Sequence, residues 1–287
     1  MTSVSDNPGA TSTLRPVHLP RPLLFLLSAL LLLGACAGLD DAAADTFPRQ
    51  ASQPAVVGAA PTSPVTTLAI GPSTTSTTTQ PVEPRAPEPH TWTAAKADDR
   101  LDVFEAPGDA EPSRVLPAQT ILGTPTVVLV LGGSDAWLEV LLPGRPNGDT
   151  GWIRAIDVER YELRRQAVID LTMRTLQVLE GERVIFETQV GIGGPSSPTP
   201  TGNFFITDAV RITVPTGPWG AYAFGLSARS DTVTEFNGGD GIIGIHGTNR
   251  PTSIGEAQSL GCVRLDNEVM LELAELLSVG SPVTIKA

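Results

Sequence analysis

The chain has few of the residues that bind metals or form disulfides, with two cysteines and three histidines in 287 residues. Structural zinc sites use clustered Cys and His ligands, and the sequence has no cluster with that spacing, so we expect no metal and no cofactor. Positive charge is also scarce, because 19 Lys and Arg face 31 Asp and Glu, which gives a formal net charge of −12. Nucleic-acid binding needs clustered positive charge, so this balance excludes nucleic acid as an expected partner.

The first cysteine, Cys36, follows basic residues and a short apolar run over 23–33. This order is typical of an export signal, and the run is shorter than the ~20 residues that span a bilayer. We therefore predict a signal peptide over residues 1–35. The segment Leu33-Gly34-Ala35-Cys36 resembles a bacterial lipobox, which implies cleavage before Cys36 and lipidation of its sulfur. A simple secretory signal with later cleavage and a retained membrane helix are the alternatives.

Two regions of different composition follow the signal. Residues 36–91 are rich in Pro, Ser and Thr, and such a segment buries too little apolar surface to offset its ordering entropy, so it predicts a disordered linker. Residues 92–160 carry short β-rich runs between turn residues, among them Ile121–Leu122, which is typical of a small sandwich or barrel. The Gly151-Trp152-Ile153 motif resembles bacterial SH3-like domains. That resemblance implies a binding or spacer module, with wall polymer or peptide as the ligand, and a packing domain without a ligand is the alternative.

Residues 164–287 predict a second, mainly β domain. Turn residues between apolar runs predict hairpins, with strands over 167–171, 175–179 and 184–190. Further on, Asp266 or Asn267 is suited to begin one helix, and Gly280 to end it. The apolar face of that helix uses Val269, Met270, Leu273, Leu276 and Leu277. A last strand is expected over 283–285, so the predicted fold class is mainly β with one C-terminal helix.

The second cysteine lies with the last histidine in one glycine-rich segment, His246–Arg264. A thiol and an imidazole are the two groups that a cysteine-dependent acyl transfer needs. With Cys36 lipidated, Cys262 has no partner for a disulfide within the chain, and a lone thiol in an exported protein indicates a reactive group. A small buried core residue and an intermolecular disulfide are the alternatives. His246 is the only candidate base in this domain.

Three motifs carry a resemblance to a known family. They are Ser197-Pro198-Thr199-Pro200-Thr201-Gly202, Gly244-Ile245-His246-Gly247-Thr248 and Ser259-Leu260-Gly261-Cys262-Val263-Arg264. Together they resemble the catalytic domain of the L,D-transpeptidases, which have a β-rich, YkuD-like fold. Leu260 stands where many members carry a second histidine, so the catalytic imidazole is left to His246 alone.

The resemblance implies a role for each candidate residue. Cys262 is the nucleophile, His246 is the base, and the main-chain carbonyl of Gly247 orients the imidazole. The candidates for binding the substrate or the oxyanion are Gly261, Ser259, Arg264 and Tyr222. Arg264 binds a substrate carboxylate or braces its loop, and Ser259 hydrogen-bonds in the loop or at the oxyanion. Tyr222 and Trp219 are candidates to line a substrate lid, and core packing is the favoured alternative for Trp219.

The family resemblance also implies a reaction and a location. Cys262 forms a thioester with a peptidoglycan stem peptide and releases D-Ala, and a second stem then attacks to join the third residues of both stems. Carbapenem-type β-lactams are expected to acylate Cys262. A wall L,D-carboxypeptidase with water as acceptor and a non-catalytic, lipid-anchored scaffold stay open. Sortase-like enzymes have their His much further upstream of the Cys, and papain-like peptidases have Cys before His. The expected place is the outer face of the cell membrane, with Cys36 as the anchor.

Overall fold

The computed structural model describes residues 90–236 and 239–287. The predicted signal peptide, Cys36 and nearly all of the predicted linker lie outside these residues. The described residues are mainly β-strand with one α-helix, which confirms the predicted fold class. Within the same residues, no helix is long and apolar enough to cross a membrane.

A five-stranded antiparallel sheet dominates the N-terminal part of the described chain. The strands of this part are β1 (Trp92–Ala97), β2 (Leu101–Val103), β3 (Arg114–Leu116), β4 (Val127–Gly133), β5 (Trp137–Leu141), β6 (Thr150–Arg154) and β7 (Val158–Leu163). The sheet has the order β6-β5-β4-β1-β7, while β2 pairs with β3 separately. A 3-10 turn, Ala155–Asp157, joins β6 to β7. We call residues 92–163 the N-terminal domain, and its likeness to SH3-like domains stays a prediction.

The run Ile121–Leu122 is not a strand, and its inclusion among the β-rich runs was wrong. These residues lie in a turn in which the Thr120 N–H donates to the Thr124 carbonyl at 2.8 Å and the Gly123 N–H donates to the Thr120 carbonyl at 3.0 Å. Gly123 has a φ of +85°, a left-handed conformation that glycine adopts without strain. We call residues 117–126 the domain turn.

An eight-stranded mixed sheet organises the rest of the chain. The remaining strands are β8 (Arg165–Asp170), β9 (Thr175–Glu180), β10 (Arg183–Gln189), β11 (Ile192–Gly193), β12 (Gly202–Arg211), β13 (Tyr222–Arg229), β14 (Ile242–His246), β15 (Ala257–Ser259), β16 (Val263–Arg264) and β17 (Pro282–Lys286). The sheet has the order β10-β9-β8-β17-β12-β13-β14-β16, and β11 pairs with β15. A 3-10 turn, Pro251–Ser253, lies between β14 and β15.

One face of this sheet packs against the helix α1 (Asn267–Leu276). The helix begins after Asp266, whose carboxylate accepts a hydrogen bond from the Glu268 N–H at 2.9 Å, as expected of an N-cap residue. Its buried residues Met270 and Leu273 belong to the same apolar core as Phe224 of β13 and Ile245 of β14. The alternate residues of these strands point to the opposite face, which carries the candidate site.

Candidate active site

The parallel pairing of β14 with β16 brings the candidate nucleophile and base onto neighbouring strands. Ile245 lies opposite Val263 and His246 lies opposite Arg264. Cys262 comes directly before β16, and its Sγ accepts a hydrogen bond from the Gly244 N–H at 3.4 Å. The sulfur therefore lies against the strand that ends in His246. A backbone N–H aimed at the sulfur stabilises negative charge there when the thiol is deprotonated.

The imidazole of His246 is held in one tautomer. Its Nδ1 lies 2.5 Å from the carbonyl oxygen of Gly247. A carbonyl accepts but never donates, so this hydrogen bond assigns the ring proton to Nδ1 and a lone pair to Nε2. Among the described residues, Nε2 is buried and has no hydrogen-bond partner. Nε2 is thus the atom that is free to take a proton.

Burial keeps this imidazole neutral. His246 is fully buried, and desolvation of the charged ring lowers its pKa to about 3. The hydrogen bond to Gly247 acts in the opposite direction, and the nearby charge of Arg264 lowers the pKa further. A neutral ring with an open Nε2 is the form that a general base needs.

The segment before the cysteine, residues 259–262, is held by side-chain hydroxyls; we call it the nucleophile loop. Ser259 Oγ donates to the Cys262 carbonyl at 2.5 Å and accepts from the Gly261 N–H at 3.1 Å. Gly261 has a φ of +117°, which suits glycine alone. Because its N–H is used inside the loop, Gly261 serves through its backbone conformation and its N–H is not available to an oxyanion. The hydroxyl of Ser259 likewise braces the loop.

Two further hydroxyls reach the nucleophile loop from the segment before β12. Thr199 Oγ1 donates to the Gly261 carbonyl at 2.9 Å and accepts from the Gly193 N–H at the same distance. Ser197 Oγ donates to the Leu260 carbonyl at 2.9 Å. The carbonyls of three successive loop residues therefore each accept a hydrogen bond from a hydroxyl. These bonds fix the backbone of the loop and hence the direction of the Cys262 side chain.

Arg264 is buried, with 8% of its surface exposed. Its backbone exchanges hydrogen bonds with Gly191 at 2.8 and 2.9 Å, so it ties β16 to the start of β11. Its charge acts on His246, as described above. These hydrogen bonds are made by the backbone and not by the guanidinium, so both roles expected for the Arg264 side chain stay predictions.

Trp219 lies directly against the base. Its indole ring is 4.5 Å from the His246 ring, centroid to centroid, at an interplanar angle of 53°. It belongs to residues 212–221 between β12 and β13, which we call the cover loop. Gly220 has a φ of +63°, and a Cβ there would lie 2.0 Å from Asn267 Oδ1 and 2.6 Å from the Gly247 carbonyl carbon. Only glycine lets the cover loop approach this closely, and Trp219 is both buried and a neighbour of the His246 ring.

The side chain of Tyr222, by contrast, points away from the site, although its carbonyl accepts a hydrogen bond from the Gly247 N–H at 3.1 Å. Its ring packs edge-on against Phe224 at 5.5 Å, on the face of the sheet that carries α1. The next residue, Ala223, points to the other face and lies in one apolar cluster with Cys262. Side chains alternate along a strand, so the Tyr222 ring lies on the face opposite to Cys262, and these contacts give no support to the expected lid role.

Sequence reasoning missed two contributors to the site. Gly244 supplies the N–H to the sulfur, and Thr199 supports the nucleophile loop. The motifs that contain Gly244 and Thr199 are visible in the sequence, but a backbone donor and a buried hydroxyl have no residue-type signature. Only the fold assigns them these contacts.

Comparison with known proteins shows what the C-terminal part of the chain is similar to. Residues 164–285 match the YkuD family, described as the L,D-transpeptidase catalytic domain. A YkuD protein of Bacillus licheniformis, whose name assigns it to the L,D-transpeptidases, is 33% identical over 154 residues, or 54% of this chain and 78% of its own length. The Bacillus subtilis YkuD protein is 32% identical over 153 residues, or 53% of this chain and 77% of its own.

One solved relative is the L,D-transpeptidase of Stackebrandtia nassauensis. It is 26% identical, with a TM-score of 0.33, and the match covers 44% of this chain and 56% of that protein. The chain thus spans little more than half of that protein, and the assignment rests on the sequence relatives. Their identity and coverage, together with the match over 164–285, show that the chain belongs to the YkuD family of L,D-transpeptidases.

Proposed function

We propose that the protein is a peptidoglycan L,D-transpeptidase that joins the third residues of two stem peptides through a thioester on Cys262. The observation that carries this proposal is that Cys262 and His246 lie at the paired strands β14 and β16. The sulfur accepts a hydrogen bond from the Gly244 N–H, and the neutral imidazole has an Nε2 without a hydrogen-bond partner among the described residues. Family membership supports the transpeptidase class.

The first half of the proposed reaction forms the thioester. Nε2 of His246 takes the thiol proton as Sγ of Cys262 attacks the carbonyl between the diamino acid and D-Ala. The tetrahedral intermediate collapses with cleavage of the C–N bond. The proton on Nε2 goes to the departing nitrogen, and D-Ala leaves with a neutral amine. Throughout, the Gly247 carbonyl holds Nδ1–H and so keeps the ring in one orientation.

The second half transfers the acyl group. The amine of an acceptor stem attacks the thioester carbonyl and gives a proton to Nε2. The C–S bond then breaks, the sulfur takes that proton back, and an amide joins the two stems. Cys262 is 6% exposed and lies in an apolar cluster, and a poorly hydrated thioester favours an amine acceptor over water. This burial is our reason to place transpeptidation ahead of carboxypeptidation.

A substrate assay tests the proposal directly. The full chain with Cys36→Ser keeps Cys262 as its one thiol and is incubated with disaccharide-tetrapeptide. We expect dimers that have lost one D-Ala, detected by mass spectrometry, and none with Cys262→Ala. Tripeptide with D-Ala but no dimer would instead identify a carboxypeptidase, and no product from a folded protein would favour the scaffold.

The same thiol gives a second readout through β-lactams. We propose that a carbapenem acylates Cys262 and adds its own mass to the intact protein. The matched control is Cys262→Ala, for which we expect no adduct. An adduct on the control would show reaction at another nucleophile and would count against this part of the proposal.

We also propose that the protein is exported and held at the membrane by lipid on Cys36. The support is the lipobox-like sequence before Cys36, together with the apolar run before it. Cys36→Ala should move the protein from the membrane fraction to the soluble fraction and abolish incorporation of labelled fatty acid. Unchanged membrane association without label would favour a retained helix.

A further inference from the structure

The N-terminal domain packs against the eight-stranded sheet, which we call the catalytic sheet, on the face that carries the candidate site. Phe205 of β12 is fully buried in the apolar core of the N-terminal domain. The Gly144 N–H donates to the Ser227 carbonyl at 3.1 Å, and Tyr161 Oη donates to the Val279 carbonyl at 2.9 Å. The contacts lie at separate points of the interface, so the N-terminal domain is held in one orientation.

The segment after β5 strengthens this attachment. The side chain of Asn147 donates to the Arg229 carbonyl at 2.7 Å and accepts from the Arg229 N–H at 2.8 Å, which reproduces the pairing of a neighbouring strand. The Arg145 guanidinium donates to the carbonyls of Ser230 and Asp240 at 2.7 and 2.6 Å. These bonds tie the N-terminal domain to the segment that leads into β14.

The domain turn is fixed at its tip by one hydroxyl. Thr120 Oγ1 donates to the carboxylate of Asp208, which is 2% exposed on β12. The same oxygen accepts from the N–H groups of Leu122 at 3.2 Å and Thr124 at 3.3 Å. Thr120 therefore joins the conformation of the turn to its position on the catalytic sheet.

Leu122 is the residue of the domain turn that packs next to the candidate site. It is half-buried and packs against the apolar cluster that contains Cys262. The other members of that cluster all come from the catalytic domain, and they are Val210, Ile212, Trp219 and Ala223. Next to Leu122, the side chain of Ile121 is 60% exposed. The apolar cluster that contains Cys262 is thus extended by a residue from the other domain.

We propose that the tip of the domain turn, residues 120–124, forms a wall of the substrate groove, in which Leu122 touches the donor stem and Thr120 holds Leu122 in place. This inference rests on the proposed function. The aliphatic arm of the diamino acid and the methyl group of D-Ala are the parts of the stem that an apolar wall fits. The N-terminal domain then contributes to binding of the stem peptide at the candidate site, whether or not it also binds a separate ligand.

Steady-state kinetics of the full chain with Cys36→Ser test the wall. Leu122→Ala should raise KM for disaccharide-tetrapeptide about five-fold and leave kcat within about two-fold, because the lost contact is made in both the ground state and the transition state. The matched control is Leu131→Ala on β4, which is 49% exposed and lies outside the cluster. An unchanged KM for Leu122→Ala would overturn the proposal.

A conservative pair separates positioning from general destabilisation. Thr120→Val removes the hydroxyl and should raise KM to the extent that Leu122→Ala does. Thr120→Ser keeps the hydroxyl and should retain the KM of the parent protein. A lower unfolding temperature for Thr120→Val with an unchanged KM would mean that the hydroxyl serves stability alone, which contradicts the proposal.

Alkylation of Cys262 decides the inference even if the protein turns over no stem peptide. In the Cys36→Ser chain, iodoacetamide has one thiol to react with, and the modified mass is followed with time. Removing the wall should raise the alkylation rate of Leu122→Ala about three-fold over the parent and the Leu131→Ala control. Equal rates would overturn the wall. A faster alkylation of Leu122→Ala, with no turnover of stem peptide by the parent, would overturn the proposed function but support the wall formed by the domain turn.

Discussion

The nucleophile loop and the cover loop meet at the site, but they are held in different ways. The carbonyls of Leu260, Gly261 and Cys262 each accept a hydroxyl from a neighbouring side chain. The cover loop instead has backbone turns, such as the Gly220 N–H to the Gly217 carbonyl at 3.1 Å, and the packing of Trp219 on the base. Directional bonds fix the sulfur, whereas non-directional packing controls access to it. The two loops should therefore respond differently to substitution.

The largest effect is expected where the two loops meet, at the base itself. His246→Gln keeps a similar shape but removes the basic nitrogen, and kcat/KM should fall about 10³-fold because general base catalysis is lost. His90→Gln is the control, since His90 is exposed at the start of the described residues. A loss below ten-fold, measured with disaccharide-tetrapeptide, would mean that another group takes the thiol proton.

Acid should destabilise the protein through the same imidazole. The unfolded chain binds a proton at this residue near pH 6.5, whereas in the folded protein the pKa is about 3. Stability is therefore complete above the unfolded pKa and falls as the pH drops toward 3, by about 1.4 kcal/mol for each pH unit from this group. Urea unfolding between pH 7 and 4 measures the slope. His246→Gln should flatten it, and an unchanged slope would place the acid sensitivity elsewhere.

The nucleophile loop should be sensitive to the loss of one hydroxyl. Thr199→Val keeps the shape but leaves the Gly193 N–H and the Gly261 carbonyl unsatisfied, which should cost about 2 kcal/mol of unfolding free energy. We expect kcat to fall as well, because the sulfur is less well positioned. Urea unfolding and single-turnover acylation measure the two effects. Thr172→Val, at an exposed turn, is the control, and equal behaviour of the two variants would show that the hydroxyl is dispensable.

The smallest effect is expected in the cover loop. Trp219→Phe keeps an aromatic ring near His246 but removes part of the buried indole, at a cost of about 1 kcal/mol. The rate of Cys262 alkylation should rise a few-fold while kcat stays within about two-fold, since packing controls access and not the orientation of the sulfur. A large fall in kcat would show that the cover loop also orients the sulfur, which contradicts the difference expected between the two loops.

The sequence predicted the parts of this site that depend on residue type. Cys262 and His246 stand out because thiols and imidazoles are rare in the chain, and Asp266 stands out because a carboxylate before an apolar period caps a helix. Strands β8 to β10 were predictable because turn residues separate their apolar runs. Each of these features is local, so a single stretch of sequence contains the information.

What could not be predicted depends on contacts between distant segments. Ile121 and Leu122 resemble a strand because they are apolar, but their apolar character serves a turn that packs on another domain. The face on which the Tyr222 ring lies could not be predicted, because the start of β13, and hence the alternation of its side chains, is set by pairing with β12 and β14. Gly244 has no side chain, so the sequence gives no sign that its N–H donates a hydrogen bond to the sulfur of Cys262.

The orienting group of His246 has a consequence for the oxidation of Cys262. A carbonyl dipole at Nδ1 holds the ring without the negative charge that a carboxylate would supply, and burial keeps the ring neutral. The sulfur therefore has no imidazolium beside it in the resting protein, and thiolates are the form that peroxides attack. If the protein is exported as proposed, intracellular reductants do not reach it. A thiol that is deprotonated only when substrate binds would then resist oxidation in the unliganded protein.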